Sequence, residues 1–331
     1  MNRHSTQSGP VLVAGGAGFL GAHLCRRLVA EGRTVVCLDN LQTGSRENLE
    51  DLSGHPRFFL LIHDVVEPIP IDPPVAEIYN LACPASPTHY QADPVHTLLS
   101  CVYGARNLLD LAREAGARIL QASTSEVYGD PRTHPQHESY RGHVNIVGLR
   151  SCYDEGKRCA ETLFSDYGAH HGLDTKIARI FNTYGPGMSA GDGRLVSNLI
   201  VQGLGERPLT IHGDGSQTRS LCYVDDLIEG LMRLMASGST FHGPVNLGNP
   251  REATVLDIAR CIGDLIGTEA PFRFLPLPAD DPKRRCPDIT LARRHLDWQP
   301  VIGMEDGLRR TIDDFAARRA TGVGRASAPV T

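Results

Sequence analysis

Over the first 180 residues, short apolar runs alternate with segments whose apolar positions recur every three or four residues. The runs are rich in β-branched residues, which is typical of strands, and the periodic segments are typical of helices. Strands separated by helices imply right-handed crossovers and a parallel sheet covered on both faces. The pattern predicts strands at 11–15, 34–39, 57–64, 77–82 and 118–123, with helices at 18–31 and 94–115.

Beyond residue 182 the pattern changes to glycine- and proline-rich segments between shorter helices. These helices are predicted near 195–204, 224–236, 255–266 and 303–318. We therefore expect an α/β chain with a large doubly wound domain and a smaller α/β lobe. The predicted division is a flexible N-terminus (1–9), a first domain (10–181 with about 215–248), a second lobe (182–214 with 249–318) and a flexible tail (319–331).

The composition narrows the function classes. The chain has 331 residues, 41% of them hydrophobic, which is enough for a large core. Its formal net charge of -5 leaves no basic surplus for a phosphate backbone, so no nucleic-acid partner is predicted, whereas a small polar or anionic substrate remains open. The chain has only three lysines, Lys157, Lys176 and Lys283, so we consider a specific role for each of them.

The nine cysteines include no CxxC pair, which favours a reducing compartment, and we expect a cytoplasmic protein. No apolar run is long enough for a signal peptide or a membrane span, so no membrane role is predicted. His134 and His137 lie in a proline-rich loop without cysteine or carboxylate partners at zinc spacing. We expect no metal.

Glycines 15, 18 and 21 stand three apart, directly after the first strand and at the start of the first helix. Such glycines let a pyrophosphate approach the backbone at a helix N-terminus, where N–H groups and the dipole favour anions. The glycine spacing alone is weak evidence for a nucleotide site, since a glycine-rich turn can be purely structural. Asp39 ends the second strand, where a carboxylate accepts hydrogen bonds from ribose hydroxyls and repels a 2′-phosphate. A Rossmann domain that binds NAD is therefore predicted, although Arg46 keeps NADP open, and Asp64 is a weaker candidate near the adenine.

Tyr153 and Lys157 are four residues apart on a predicted helix, so they share a face. A nearby ammonium favours the phenolate, so we expect the pKa of Tyr153 to be lowered toward the range that a general base for an alcohol requires. The alternative is an exposed pair without function. Thr124 follows the fifth predicted strand at the carboxyl edge of the sheet, where open α/β sheets bind ligands, and its hydroxyl could hold the same substrate oxygen.

Ten segments in chain order resemble the UDP-glucuronate decarboxylases, also called UDP-xylose synthases, of the extended short-chain dehydrogenases. They are GGAGFLG, DNLQTG, LACPASPTHYQADP, ASTSEVYGDP, CYDEGKR, IFNTYGPGM, DGRLVSN, GDGSQTR, NLGNP and DDPKRRCPDI. The resemblance implies an internal redox cycle in which Tyr153, with Lys157 and Thr124, oxidises C4 of a UDP-sugar while NAD takes the hydride. Carbon dioxide then leaves from C6, and return of the hydride gives UDP-xylose.

The resemblance also implies binding residues. Glu126 and Arg285 would lie at the substrate carboxylate and would complete a catalytic set of five with Tyr153, Lys157 and Thr124. Asn182 and Arg219 would hold the diphosphate. Expected around NAD, besides the catalytic pair, are Gly15, Gly18, Phe19, Leu20, Asp39, Asn40, Thr43, Gly44, Asp64, Val65, Leu81 and Ala82. Expected around the sugar nucleotide are Pro84, Ser86, Tyr90, Ser125, Glu126, Asn182, Arg194, Val196, Arg219 and Arg285.

The family further implies a homodimer built by the helices that contain 108–116 and 158–164. The chain departs from the family pattern at Leu99, Ser100 and Cys101, where Lys, Thr and Asn are usual, and at Ala14 and Gly187. Missing polar groups there predict release of some UDP-4-keto-pentose. A nucleotide-sugar 4,6-dehydratase or 4-epimerase is the alternative within the fold, and a binding protein without turnover is the alternative outside it.

Overall fold

The structure is a computed structural model that describes residues 9–72, 74–277 and 284–321. Seven parallel strands form the main sheet, in the order β11-β6-β5-β4-β1-β2-β3. Its strands are β1 (Val11–Ala14), β2 (Val35–Asp39), β3 (Phe58–Ile62), β4 (Glu77–Asn80), β5 (Arg118–Thr124), β6 (Thr175–Ile180) and β11 (Val245–Leu247). This doubly wound sheet confirms the predicted fold class.

The nine α-helices among the described residues are α1 (Phe19–Ala30), α2 (Pro87–Ala92), α3 (Pro94–Ala115), α4 (Ser151–His171), α5 (Leu195–Leu204), α6 (Val224–Met235), α7 (Val255–Ile266), α8 (Thr290–Leu296) and α9 (Met304–Thr321). Six of the nine lie where periodic segments predict them, α4 contains the predicted Tyr153 and Lys157 pair, and α2 and α8 were not predicted. The last helix extends three residues into the predicted tail, and 322–331, like most of the predicted N-terminal segment, lie outside the described residues. Within the described part of the chain, no helix is long and apolar enough to cross a membrane.

The core forms on both faces of the sheet because successive strand residues point to opposite sides. In β1, Val11 and Val13 belong to one apolar cluster and Leu12 and Ala14 to the other. The second cluster includes Leu108 and other residues of α3 and α4, and the first includes residues of α1 and α5 to α9. This double burial explains the nearly continuous apolar strands of the sequence.

Three two-stranded pairs lie outside the main sheet: β7 (Thr183–Tyr184) with β10 (Cys222–Tyr223), β8 (Leu209–His212) with β13 (Phe272–Leu275), and β9 (Thr218–Ser220) with β12 (Glu252–Thr254). Four of these six strands fall in the predicted second lobe, whereas β9 and β10 fall in the segment at about 215–248 that was assigned to the first domain. The division of the chain into two units stays a prediction.

Candidate active site

A cleft opens at the carboxyl ends of β1 and β4, where the strand order reverses and open α/β sheets bind ligands. The predicted cofactor residues that line it are Gly15, Gly18, Asp39, Asn40, Thr43, Asp64, Val65, Leu81 and Ala82. Leu38, Gln42, His63, Cys83, Pro84 and Ser100 complete the lining, and of these only Pro84 is a predicted site residue, expected at the sugar nucleotide.

Three other residues expected around the cofactor lie beside this lining. The ring of Phe19 packs edge-on against His23, with ring centroids 5.6 Å apart, and Leu20 packs against the apolar core. Gly44 lies against Asp39, because a Cβ built on Gly44 would be 2.9 Å from the Asp39 carboxylate. Their relation to the cofactor stays a prediction.

The backbone at Gly15 fits a dinucleotide. Gly15 has φ +77°, and a Cβ there would lie 2.7 Å from the Leu81 carbonyl oxygen, so only glycine is accommodated. Gly18, the N-cap of α1, leaves the first turn without a side-chain cap. Backbone N–H groups at such a turn can bind a pyrophosphate.

Asp39 is buried at the end of β2 and accepts one backbone N–H on each carboxylate oxygen, from Ala17 at 2.9 Å and from Leu41 at 2.8 Å. Burial raises the pKa of Asp39, and these N–H groups oppose the rise. Each carboxylate oxygen has two acceptor positions, so both can still receive a ribose hydroxyl. The residues present therefore fit NAD.

Asp64 also lines the cleft, and its carboxylate accepts hydrogen bonds from three donors. It accepts the Asn40 side-chain amide at 2.8 Å, the His96 ring nitrogen at 2.9 Å and the Val66 N–H at 2.9 Å. Burial disfavours its charge, but these hydrogen bonds outweigh burial and lower the pKa of Asp64. The carboxylate is thus fixed and ionised at this end of the cleft.

Tyr153 and Lys157 lie on α4 and are both buried. The Lys157 Nζ donates to the Ala122 carbonyl at 2.9 Å and lies 5.8 Å from the centroid of the Tyr153 ring. The Tyr153 ring stacks on Tyr90, with centroids 5.3 Å apart and ring planes 6° from parallel. Thr124 lies within hydrogen-bonding reach of the Tyr153 hydroxyl. The structure thus brings together three of the five predicted catalytic side chains, Thr124, Tyr153 and Lys157.

The expected electrostatic effect on Tyr153 is wrong for this structure. Burial raises the pKa of Tyr153 well above its ordinary value, and Cys83 and Glu126 raise it further, while only Thr124 among the main contributors lowers it. The i to i+4 spacing predicts proximity of Lys157 but not the depth of burial, and desolvation of the phenolate dominates.

Glu126 lies in the 3-10 helix Ser125–Tyr128 after β5, between two guanidinium groups. Arg285 donates from both terminal nitrogens to the two carboxylate oxygens, and Arg150 approaches Glu126 Oε2 at 2.7 Å. Burial opposes the charge, but Arg285 and Arg150 lower the pKa of Glu126. Among the described residues, the Arg285 Nε is buried without a hydrogen-bond partner.

Arg150 and Asp154 belong to this cluster and were not predicted. Arg150 is the N-cap of α4, one turn before Asp154, and that spacing is the sequence signal that could have indicated them. Asp154 is buried, and its Oδ1 has no hydrogen-bond partner among the described residues. Burial, together with Glu126, raises the pKa of Asp154 to about 7, against the opposing effect of Arg150 and Arg285.

The remaining residues expected at the substrate lie in two places. Ser86, Tyr90 and Ser125 are buried on the Tyr153 side, where the Ser86 hydroxyl contacts His89 Nδ1 at 2.8 Å and Tyr90 stacks on Tyr153. The other four lie beyond β6. Asn182 accepts the Cys222 N–H through its carbonyl, and Arg219 donates to the Thr218 carbonyl. Arg194 is 3.6 Å from Asp192, and Val196 is buried in α5. Their roles in binding stay predictions.

The loop histidine His134 has partners that sequence spacing cannot show. Its Nε2 lies 2.9 Å from Glu252, and the Cys286 sulfur is near both, with the three ligand atoms within 4.8 Å of one another. Glu252 also accepts the Thr218 hydroxyl, and the Cys286 thiol donates to the Pro250 carbonyl at 3.4 Å. Each group therefore has a protein partner.

Comparison with known proteins places the fold and the site in context. Residues 11–248 match the NAD dependent epimerase/dehydratase family. UDP-glucuronic acid decarboxylase 1 of Arabidopsis thaliana is 52% identical over 308 residues, which cover 93% of this chain and 70% of the relative. UDP-glucuronic acid decarboxylase 1 of Danio rerio is 50% identical over 306 residues, 92% of this chain and 72% of the relative.

Among solved structures, UDP-glucuronic acid 4-epimerase from Bacillus cereus, in complex with UDP-glucuronic acid and NAD, superposes with a TM-score of 0.83 at 27% identity. The match covers 93% of this chain and 99% of that one. The chain is thus similar to decarboxylases in sequence and to an epimerase in fold.

Proposed function

We propose that the chain, which belongs to the NAD dependent epimerase/dehydratase family, is a UDP-glucuronic acid decarboxylase that forms UDP-xylose with NAD as its cofactor. The sequence identity to decarboxylases supports this reaction over the 4,6-dehydratase and 4-epimerase alternatives. Intact Thr124, Tyr153 and Lys157 support turnover over a binding role without chemistry.

The observation that carries the proposal is the pair of guanidinium groups at Glu126. Arg285 and Arg150 both contact this one carboxylate, two residues beyond Thr124. The Arg285 fork holds the Glu126 carboxylate in a bidentate manner, the geometry in which arginine also binds a substrate carboxylate. Below about pH 7, where Asp154 is largely protonated, the two guanidinium groups outnumber the ionised Glu126 by one charge, which suits a sugar that carries a carboxylate at C6.

The residues that would hold NAD are Gly15 and Gly18 at the pyrophosphate and Asp39 at the adenosine ribose. NAD, when bound, would supply the hydride acceptor for C4 of the sugar and the hydride donor for the final reduction. Tyr153 would accept the O4 proton as a phenolate, and Thr124 would orient the same oxygen. Because burial raises the pKa of Tyr153, this residue must first lose its own proton, which the positive charges of Lys157 and of the nicotinamide would favour. Lys157 places a positive charge near Tyr153, and this ammonium is held in position because it donates to the Ala122 carbonyl.

Oxidation at C4 makes the sugar a β-keto acid. The C5–C6 bond then breaks, carbon dioxide leaves, and its electron pair delocalises into the C4 carbonyl as an enolate. Protonation at C5 restores the C4 ketone. Return of the hydride to C4 then reduces this ketone and gives UDP-xylose. Glu126 stays ionised between its arginines, so we assign it to holding the cations at the substrate carboxylate rather than to donating a proton.

The test is incubation of the purified protein with UDP-glucuronic acid, followed by mass spectrometry and NMR of the products. We expect carbon dioxide and UDP-xylose, with some UDP-4-keto-pentose because Cys101 and its neighbours lack the usual polar groups. Formation of UDP-galacturonic acid instead would indicate a 4-epimerase.

UDP-glucose and TDP-glucose separate the decarboxylase from a 4,6-dehydratase. A dehydratase must protonate a leaving hydroxyl at C6, and it needs an acid beside that atom. Residue 125 is a buried serine, which cannot supply one. Conversion of either neutral sugar nucleotide to a 4-keto-6-deoxy sugar, with UDP-glucuronic acid untouched, would overturn the proposal.

We also propose a homodimer through α3 and α4. Val95, Leu98 and Tyr103 leave 68%, 39% and 46% of their surface exposed on α3, which supports a partner there. Light scattering should give about twice the 36.0 kDa of one chain, and Tyr103→Glu should shift the protein toward monomer. A wild-type mass of one chain would refute the dimer.

A cytoplasmic location is the last part of the proposal. It is supported by nine cysteines that are all free thiols, as in a reducing compartment. Cell fractionation with an antibody to the chain tests it, and recovery with secreted proteins would contradict it.

A further inference from the structure

Two cysteines meet at the wall of the cleft. Cys83 follows β4 and lines the cleft, while Cys101 lies on α3 and is 2% exposed. Their sulfurs are 3.3 Å apart, in thiol hydrogen-bond contact. A disulfide bond is about 2.05 Å long, so the sulfurs need to approach by only a little over about 1 Å.

The surroundings shift the pKa values of the two thiols in opposite directions. The hydrogen bond from Cys83 lowers the pKa of Cys101, burial opposes this, and Lys157 lowers it further. Burial and the contact with Cys101 raise the pKa of Cys83, the residue that lines the cleft. A thiolate is therefore favoured on Cys101, with Cys83 as the hydrogen-bond donor.

Cys101 also packs directly on the catalytic helix. A Cβ built on Gly156 would lie 2.9 Å from Cys101 Cβ and 3.1 Å from its sulfur, so α4 can approach only because residue 156 is glycine. Gly156 directly precedes Lys157 and lies three residues after Tyr153. A displacement of the Cys101 sulfur is therefore transmitted to both catalytic side chains.

From these contacts we infer that Cys83 and Cys101 are an oxidation site at which a hydroperoxide forms a disulfide that reversibly suppresses turnover. The Cys101 thiolate attacks an oxygen of a hydroperoxide that enters from the cleft beside Cys83, the O–O bond breaks, and protonation of the departing hydroxide releases water and leaves a sulfenic acid on Cys101. Cys83 then loses its proton, and its sulfur attacks the Cys101 sulfur and releases hydroxide, which takes up that proton. Hydrogen peroxide is thereby reduced to two waters, while two thiols lose two electrons and two protons.

The experiment treats the reduced, full-length protein with a small excess of hydrogen peroxide and maps its peptides without reduction. We expect a peptide link between Cys83 and Cys101 and a fall in turnover of about 100-fold, the effect of an ångström-scale misplacement. Dithiothreitol should remove the link and restore turnover. The peptide map does not depend on the proposed reaction, so failure of the decarboxylase assignment would leave this readout intact.

Two variants separate the pair from the other thiols. Cys101→Ser should form no link and show no dithiothreitol-reversible loss, with thermal unfolding as the check that it folds. Cys159→Ser removes an exposed thiol of α4 and should behave as wild type. The inference is overturned if Cys83 and Cys101 stay reduced while Cys159 is oxidised, if Cys83 links to Cys152 instead, or if the linked protein keeps full turnover.

Discussion

Arg285 donates from both terminal nitrogens to the carboxylate of Glu126, across a sequence separation of 159 residues. Both side chains are largely buried, with 9% and 12% exposed. The pair joins the segment after β5 to the segment before α8, so it fixes the two sides of the proposed substrate site relative to each other. Its geometry is therefore a direct target for substitution.

Arg285→Lys keeps the positive charge but loses the planar fork and the free Nε donor. We expect kcat/KM for UDP-glucuronic acid to fall by about 100-fold, as for a misplaced substrate. The neighbouring Arg284 is exposed, and Arg284→Lys is the matched control, with unchanged kinetics expected. Wild-type kinetics for Arg285→Lys would show that the fork is not used.

Tyr153→Phe removes only a hydroxyl from a buried ring that stacks on Tyr90. The fold and the affinity for NAD should remain, because the ring contact remains, while turnover falls by at least about 100-fold through loss of the base. Circular dichroism, calorimetry with NAD and product assay measure these three quantities. Tyr103→Phe, at an exposed tyrosine of α3, should leave the fold, the affinity for NAD and turnover unchanged. Near-normal turnover of Tyr153→Phe would mean that another group is the base.

The sequence predicts the fold well because burial on both faces gives the strands nearly continuous apolar runs, and Gly15 with Asp39 marks the dinucleotide cleft. Two strands of the main sheet, β6 and β11, were not predicted. The first contains Lys176 and Arg179, and the second is only three residues long, so neither has a clear apolar run. Pairing with neighbouring strands in the folded sheet, rather than the local sequence, determines that these two segments are strands.

The parts of the site that were missed depend on contacts between distant segments. Arg150 meets Glu126 only because α4 begins beside the 3-10 helix after β5, and Cys101 meets Cys83 only because α3 packs along β4. The direction of the Tyr153 pKa shift depends on depth of burial, which a four-residue spacing does not reveal.

Asp39 should make the protein select NAD over NADP. Its carboxylate is buried and anchored by two backbone N–H groups, so it cannot turn away from a 2′-phosphate. Calorimetry on cofactor-free protein should give at least about tenfold tighter binding of NAD, a difference of about 1.4 kcal/mol. Asp39→Asn should reduce the difference in affinity between NAD and NADP, whereas Asp72→Asn, at an exposed position, should leave that difference unchanged. Comparable affinities of wild type for the two cofactors would refute the role of Asp39.

Asp154 should make stability depend on pH. It is buried beside Glu126, Arg150 and Arg285, with Glu155 next to it, and burial raises its pKa from 3.8 to about 7. Below its unfolded pKa, Asp154 is protonated in both states. Between that value and about 7, the unfolded chain releases the proton while the folded chain keeps it. The stabilising effect of a raised pKa is therefore complete in acid and is lost as pH rises toward 7.

Asp154→Asn removes this titration while keeping the side-chain volume. The free energy of unfolding of Asp154→Asn relative to wild type should increase from pH 4 to pH 7, by at most about 4 kcal/mol at about 1.4 kcal/mol per pKa unit, and stay constant above. Urea unfolding at a series of pH values measures it. Asp166→Asn, at an exposed aspartate of the same helix, is the control and should follow the wild-type profile. A constant difference between Asp154→Asn and wild type across this range would show that Asp154 is ionised throughout, held by Arg150 and Arg285 despite its burial.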